Sequence, residues 1–388
     1  MLPGAGSLGG VIVNIEDLRA RARRRLPRAV FDFIDGGAED EVSLRLNRAA
    51  FHRLTFRPRV LVDASRLDQS TSVLGQALAT PLILAPTGLC GMAAPRAEVL
   101  AGRAASKCGI PFTLSSMSAV SIEDTMREAP GPHWFQLYVW RDRDLTRSLV
   151  ERAAAAGYRA LMLTVDVQMA GSRERDLRNG ATIPPRVTFA NAMDSAMHAG
   201  WLLAMARNPR IDFVNVARDS SSGPLALAAY VNAQFDPSVS WKDLDWLRGL
   251  WHGPLAIKGI MSAEDARRAV DAGVDAVIVS NHGGRQLDGL PAAVDVLPEV
   301  VDAVGDRTEV ILDGGVRRGS DVVKAMCLGA RACMIGRPYL YGLAAAAQPG
   351  CEMAINLLRV EIARVLTLLG RPTLADLDRS ALRLPIRD

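Results

Sequence analysis

Cysteine is scarce in this chain. Its 388 residues hold five thiols, Cys90, Cys108, Cys327, Cys333 and Cys351, an odd number with no CxxC spacing. That pattern supports neither a disulfide framework nor a zinc cluster, and it fits a reducing compartment. Excess charge of one sign is also lacking. The 46 Lys and Arg set against 42 Asp and Glu leave a formal net charge of +4, too little for a nucleic-acid binder whose affinity comes from massed cations. Long apolar runs are missing as well: the stretch around Met197 to Ala206 falls far short of the roughly 20 residues that a spanning helix needs. The start, MLPGAGSLGGVIVNIEDL, has no basic leader and no small-residue cleavage site after a long apolar run, so a secretory signal is not expected. What is abundant is globular material: 49% hydrophobic and 23% charged residues exclude a disordered or fibrous chain.

From residue 81 onward, short runs rich in Val, Ile, Leu and Phe recur between turn residues, the pattern of buried parallel strands. There are eight: PLILAP from 81, IPFTLS from 110, HWFQLYV from 133, ALMLTVD from 160, PLAIKGI from 254, AVIVSN from 276, EVILDGG from 309 and ACMIGR from 332. Their start-to-start steps are 29, 23, 27, 94, 22, 33 and 23 residues. A strand, a helix and two short loops require a step of about 25. Helical signals fill the gaps. SAEDARRAVDAGVDA opens with Ser262 as an N-cap and stops at Gly273, and SDVVKAMCLGARA from Ser320 is expected to repeat that grammar. Eight such units predict one α/β domain, a (β/α)8 TIM barrel over 81–350, preceded by N-terminal helices over 14–60. Residues 352–370 are read as a closing helix. The long fourth step leaves 187–253 as an insertion after strand four, where Trp201, Leu202, Leu203, Met205 and Phe213 mix with Arg207 and Arg210. An amphipathic surface segment and an insertion packed on the barrel or in an oligomer interface both fit it. The basic run Arg19, Arg21, Arg23, Arg24 and Arg25 is read as a solvated helix face.

Barrels of this kind carry their active site at the C-terminal strand ends and often bind phosphate after strands seven and eight. Strand seven is followed by Asp313, Gly314, Gly315, Val316 and Arg317, and strand eight by Gly336 and Arg337. Glycines let backbone approach an anion, and guanidinium forks grip its oxygens. Strand six ends in Ser280-Asn281-His282-Gly283-Gly284-Arg285, which offers a base beside a cation for a carboxylate. Asp166 ends strand four, with Arg173 beyond it. Lys258 ends strand five, where an ammonium could stabilise a reduced cofactor. Gln136 and Tyr138 share one side of strand three. Pro86, Thr87 and Gly88 follow strand one, and Ser115 ends strand two. Amides, hydroxyls and backbone groups ringed about one mouth suit a heteroaromatic ring bonded on several edges. With a phosphate at the far end, flavin mononucleotide (FMN) fits.

These residues resemble, over nearly the whole chain, the FMN-dependent L-2-hydroxy acid dehydrogenases and oxidases. SNHGGRQLDG is the most specific stretch; LPRAVFDFIDGGAEDE, APTGL, WFQLYV, TVDV with RERDLRNG, and FDPSVSWKDL are similar to the (S)-mandelate and membrane-associated L-lactate dehydrogenases. The resemblance implies that His282 is the active-site base, taking either the C2 proton, or the hydroxyl proton while the C2 hydrogen passes as hydride to flavin N5. It implies that Asp166 orients His282, that Arg173 and Arg285 hold the substrate carboxylate, and that Tyr138 bonds the substrate's oxygens. Lys258 is then placed at the flavin N1–O2 edge. Pro86, Thr87, Gly88, Ser115, Gln136, Thr164 and Ser280 surround the ring, with Asp313, Gly314, Gly315, Arg317, Gly336 and Arg337 on ribityl and phosphate. A quinone-type electron acceptor, a homotetramer, and a cytoplasmic location with peripheral contact at the inner membrane face through 187–253 complete the expectation.

Three positions differ from one or another group of relatives. The usual YDY reads Phe31-Asp32-Phe33 here, so Phe33 lacks a hydroxyl that would donate to the carboxylate, a bond worth roughly 1.5–3 kcal/mol. Met117 stands where glycolate oxidases have tryptophan, and a flexible thioether leaves room for an aryl or alkyl substituent. Gly88, where many oxidases have alanine, is similar to the dehydrogenases. The alternatives are an oxidase using O2 on a larger aryl 2-hydroxy acid, an FMN barrel oxidising a C–N bond in a peptide-derived cofactor precursor, and a barrel that only binds. The second has no need of two arginines. The third gains nothing from a base and its orienter.

Overall fold

A computed structural model describes residues 11–180, 188–207, 213–216 and 233–383. All eight apolar runs form parallel strands: β1 (Leu82–Leu84), β2 (Thr113–Ser115), β3 (Trp134–Leu137), β4 (Ala160–Thr164), β5 (Leu255–Ile260), β6 (Ala276–Ser280), β7 (Glu309–Asp313) and β8 (Ala332–Ile335). They pair in the order β1-β8-β7-β6-β5-β4-β3-β2, and a parallel bridge between Leu84 and Phe112 brings the two ends together. The architecture is a (β/α)8 barrel.

Two apolar layers account for it. Side chains pointing inward, large ones from Trp134, Met162, Ile278 and Ile311 among the small Ala160, Ala256, Ala276 and Ala332, fill the barrel. Those pointing outward meet the helices in a second, larger cluster. The strands are buried on both faces, which is why they read as continuous apolar runs rather than alternating ones. A hairpin, Thr71–Val73 with Gln76–Leu78, plugs the N-terminal end of the barrel with Val73 and Leu78.

Helix α1 (Ile15–Arg25) starts at the Asn14 capping box with Asp17, followed by α2 (Arg28–Asp35) and α3 (Val42–Arg53). Arg19 is not merely solvated, since it pairs with Asp35 of α2 at 2.6 Å. Ser262 caps its helix as expected, accepting from the Asp265 N–H at 3.1 Å. Ser320 does not. The helix Gly319–Cys327 begins one residue earlier and is capped by Asp321, whose carboxylate accepts from the Arg317 and Arg318 N–H groups. Within 187–253, Trp241–Leu250 is the helix that leads into β5, and the helices Phe189–Met197 and Ala199–Arg207 are the added material. Residues 187, 208–212 and 217–232 of that span, Arg210 included, lie outside the described residues, as do residues 1–10 of the start. The final helix runs Arg337–Leu369, kinked at Ala346 and Ala347, so 352–370 is its second half.

Candidate active site

Register sets the mouth of the barrel. Across neighbouring strands Ser115 pairs with Gln136, Thr164 with Lys258, and Ser280 with Asp313, so three polar pairs stand at the C-terminal rim. A cavity of about 210 Å3 lies over them. Its lining includes Pro86, Thr87, Gly88, Ser115, Met117, Tyr138, Arg173, Lys258, His282, Arg285, Asp313, Gly314, Gly315, Arg317, Gly336, Arg337 and Phe33. Gln136, Thr164, Asp166 and Ser280 stand behind these residues.

His282 Nδ1 bonds an Asp166 carboxylate oxygen at 2.9 Å. Burial would raise the Asp166 carboxyl, but the imidazole and the Lys258 charge outweigh it and hold it below the ordinary value. Room for Asp166 comes from a bulge in β5: Gly259 has φ of +110°, and a Cβ there would come within 2.8 Å of the Asp166 side chain. His282 itself has φ of +56°, a left-handed conformation that strains any residue but glycine.

Lys258, Ser280 and Asp313 form a buried triangle. Lys258 Nζ lies 2.9 Å from Asp313 and donates to Ser280 Oγ at 2.9 Å, while Ser280 Oγ donates to Asp313 at 2.7 Å. Burial alone would lower the Lys258 ammonium; Asp313 and Asp166 reverse that, and its value is raised. Burial, reinforced by Asp166, keeps the Tyr138 phenol protonated.

Arg285 donates to the Phe33 and Gly36 carbonyls at 2.7 and 3.0 Å, and its guanidinium lies 5.2 Å from the Phe33 ring. Arg173 lies 5.7 Å from the same ring and 3.1 Å from Asp176. Phe33 thus sits between both cations. Arg337 reaches four carbonyls, those of Ile34, Asp35, Gly36 and Gly283. Its side chain fastens the end of α2 to the loop after β6, and Arg317, which lines the same cavity, has one side-chain nitrogen hydrogen-bonded, to the Val316 carbonyl. Asp35 holds the same segment from behind: Arg19 and Tyr341 overcome the burial that would raise its carboxyl, and bring it down to about 2.

Whether FMN suits this mouth can be asked of the protein atoms alone. Among the described residues Gln136 Nε2 and Thr164 Oγ1 are buried without a partner, a cost of roughly 1–3 kcal/mol each unless a ligand edge takes them up. A Cβ on Gly336 would meet nothing nearer than 3.8 Å, so that glycine opens space at the start of a long helix, where free N–H groups favour an anion. Gly315 has φ of +82° and could carry no Cβ without striking the Asn47 carbonyl. These residues fit a flavin ring over the strand ends and a phosphate at the loops after β7 and β8.

Several contributors escaped the sequence reading. Asn47, Asp35 and Asn281 were legible at best as polar residues on buried faces. Gln286, whose amide bonds the Asp166 and Met169 carbonyls and the Gly171 N–H, had no separate signal.

Fold and mouth together define a barrel oxidoreductase built for a phosphorylated flavin and a small acid. The chain belongs to the FMN-dependent dehydrogenase family, whose model matches residues 22–384. It is 43% identical over 369 residues, 95% of this chain and 88% of the relative, to a putative L-lactate dehydrogenase of Mycobacterium tuberculosis (strain ATCC 25618 / H37Rv). It is also 43% identical over 376 residues to an L-lactate oxidase of Nostoc sp. (strain PCC 7120 / SAG 25.82 / UTEX 2576), covering 96% and 98% of the two chains. Among solved structures, the monotopic membrane protein (S)-mandelate dehydrogenase superposes with a TM-score of 0.94 at 41% identity, over 97% of this chain and 100% of that one. The enzyme is an FMN-dependent oxidoreductase of the 2-hydroxy acid dehydrogenase and oxidase group.

Proposed function

We propose that this enzyme oxidises an L-2-hydroxy acid with an aryl or alkyl group at C2 to its 2-oxo acid, passing the electrons to a quinone-type acceptor. The observation that carries the reading is the His282–Asp166 bond at 2.9 Å in the same mouth as Arg173 and Arg285. When bound, FMN supplies the two-electron acceptor for the oxidation. With Nδ1 committed to Asp166, Nε2 is the ring nitrogen free to take a proton from C2 or from the hydroxyl. Asp166 then steadies the imidazolium, and such a base contributes roughly 10²–10⁴ in rate. Arg173 and Arg285 orient the acid by its carboxylate, and Tyr138 donates to its oxygens. Lys258 keeps a buried positive charge that would balance negative charge on a reduced flavin.

Phe33, Met117, Val167, Ala170, Phe213 and Phe235 form an apolar wall that suits a bulky substituent. Gly88 and Met117 act together there, because a Cβ on Gly88 would press within 3.1 Å of the Met117 Cβ. Anaerobic addition of L-lactate, L-mandelate and their D-enantiomers to the yellow holoenzyme tests the reading. One L-acid should bleach it, and air should recolour it slowly. Fast recolouring with peroxide identifies an oxidase, and flavin untouched by every 2-hydroxy acid overturns the proposal.

Membrane contact rests on the added helices. Phe189, Met193 and Met197, spaced four apart, are 82, 50 and 72% exposed. Among the described residues no helix is long and apolar enough to cross a bilayer, so contact would be peripheral, at the inner face of the cytoplasmic membrane. Phe189→Asp, Met193→Asp and Met197→Asp together should release the enzyme from membranes and abolish quinone reduction while dye-coupled turnover persists. Unchanged partitioning sinks this part. The assembly is proposed to be a homotetramer, which sedimentation of the holoenzyme checks directly.

A further inference from the structure

Beside the His282–Asp166 pair lies a second buried polar cluster that the catalytic reading does not use. Asn47 on α3 and Asn281, the residue before His282, are each 2% exposed and face one another through their amides. Asn47 Nδ2 donates to Asn281 Oδ1 at 2.8 Å, and Asn281 Nδ2 donates back to Asn47 Oδ1 at 3.1 Å. Each amide does more than pair. Asn281 Nδ2 also donates to the Pro291 carbonyl at 3.0 Å, and Asn281 Oδ1 accepts from the Gly284 N–H at 3.2 Å. Asn47 Oδ1 accepts from the Ala293 N–H at 3.2 Å. Asn281 therefore ties the loop after β6 to itself at both ends, and Asn47 ties that loop to the N-terminal extension.

The loop needs such ties. His282, Gly283 and Gly284 follow one another at φ of +56°, +64° and +71°. Left-handed turns of this kind make no ladder of their own, and a strained residue persists only where its surroundings over-determine it. For His282 the cost is of order 1–3 kcal/mol, comparable to the roughly 0.5–1.5 kcal/mol of each amide hydrogen bond. Losing two or three of those bonds is enough to let the turn relax. A turn that relaxes rotates the imidazole off Asp166.

We propose that Asn47 is a positioning residue: by holding the Asn281 amide it keeps His282 in the left-handed turn from which Nδ1 reaches Asp166. The inference rests on the assignment of His282 as the base, and it gives the N-terminal extension a part in the reaction that requires no contact with substrate. The competing account is that the two amides merely dock α3 on the barrel. Docking would change how much folded holoenzyme survives; positioning changes what each surviving molecule does.

The test uses holoenzymes Asn47→Ala and Asn47→Asp, with His282→Gln as the reference. The Asp variant preserves shape and the acceptor oxygen but cannot donate to Asn281 Oδ1. Flavin reduction by the substrate acid is followed anaerobically by stopped flow across pH and expressed per bound FMN. Asn47→Ala should lower the limiting rate at least tenfold and move the midpoint of the pH–rate profile down by half a unit or more, because the imidazolium has lost part of its hold on Asp166. Asn47→Asp should also lower the limiting rate, because its carboxylate meets the Asn281 Oδ1 acceptor with no proton to donate. In 15N-histidine-labelled protein, the hydrogen-bonded proton signal that disappears in His282→Gln should weaken in Asn47→Ala. Wild-type rate per FMN and an unmoved profile in a variant that retains flavin overturn the proposal. So does loss of flavin by both variants, which would assign the amides to holding the fold. If Asn47→Ala alone fails to fold, Asn47→Asp decides. Wild-type reduction by His282→Gln would instead refute the base itself; an inactive His282→Gln beside an unchanged Asn47→Ala refutes only the positioning role.

Discussion

His133 and His282 stand at opposite ends of the barrel, and the contrast between them describes the whole molecule. His133 precedes β3 at the N-terminal end and is fully buried. Its Nδ1 accepts from the Phe112 N–H at 3.2 Å and its Nε2 donates to the Ala129 carbonyl at 2.9 Å, so both ring nitrogens are occupied by backbone in one neutral tautomer. His282 ends β6 at the other rim, in a strained turn, with one nitrogen on a carboxylate and the other without a protein partner among the described residues. Around the lower end, Trp134 bonds the plugging hairpin through Gln76, and the Leu74 N–H meets Glu309. Around the upper end, Gln136 and Thr164 retain unpaired polar atoms. The lower histidine is closed off by backbone and the upper one opens on the cavity, although an unpaired polar atom, Gln76 Nε2, is buried at the lower end too.

Substitutions at the two ends should therefore fail differently. The largest effect is expected at the top: His282→Gln should keep FMN and the fold yet slow flavin reduction by about 10³ or more. Anaerobic stopped flow measures it, and unchanged reduction would break the contrast outright. Next comes Trp134→Ala at the bottom, which empties a fully buried site and should cost about 3–5 kcal/mol. Denaturant unfolding checks the loss, while reduction per bound FMN should stay near wild type; a rate that fell in step with stability would show that the two ends are not separable. Arg173→Met should be milder, raising the half-saturating substrate concentration by roughly 10- to 100-fold for a lost charged hydrogen bond of about 1.5–3 kcal/mol. An unmoved half-saturation would reassign the carboxylate to Arg285 alone.

The barrel was legible because both strand faces are buried, so each strand left a continuous apolar run whose spacing counts the units. Most of the mouth was legible too, because strand ends and glycine-bearing loops are local features. What stayed hidden depends on partners far away in sequence. Asn47 bonds a residue 234 positions on, and nothing near it in the chain signals that contact. Arg337 and Arg317 looked alike as cations beside glycine, and only the fold shows that Arg337 ties the Ile34, Asp35 and Gly36 carbonyls at the end of α2 to the Gly283 carbonyl of the loop after β6. Ser320 carried a fair N-cap signal, but the Asp321 carboxylate captured the first turn instead.

The smallest predicted effect belongs to His133 and is one of pH. Burial pushes its imidazole down to about 4, outweighing the Ala129 carbonyl, which favours the protonated ring. In the unfolded chain the same group titrates near 6.5. The folded value lies below the unfolded one, so the contribution is fully present above about pH 6.5 and is lost as pH falls toward 4, where the unfolded state binds the proton first. At pH 5 the loss relative to pH 7 should be about 2 kcal/mol from this residue. Urea unfolding at the two pH values, with wild type beside His133→Asn, isolates it. The variant should be less stable at pH 7, yet lose about 2 kcal/mol less than wild type on going to pH 5. Equal pH dependence in both proteins would mean that His133 takes up a proton without opening the lower end, and that this end is less tightly closed than its hydrogen bonds require.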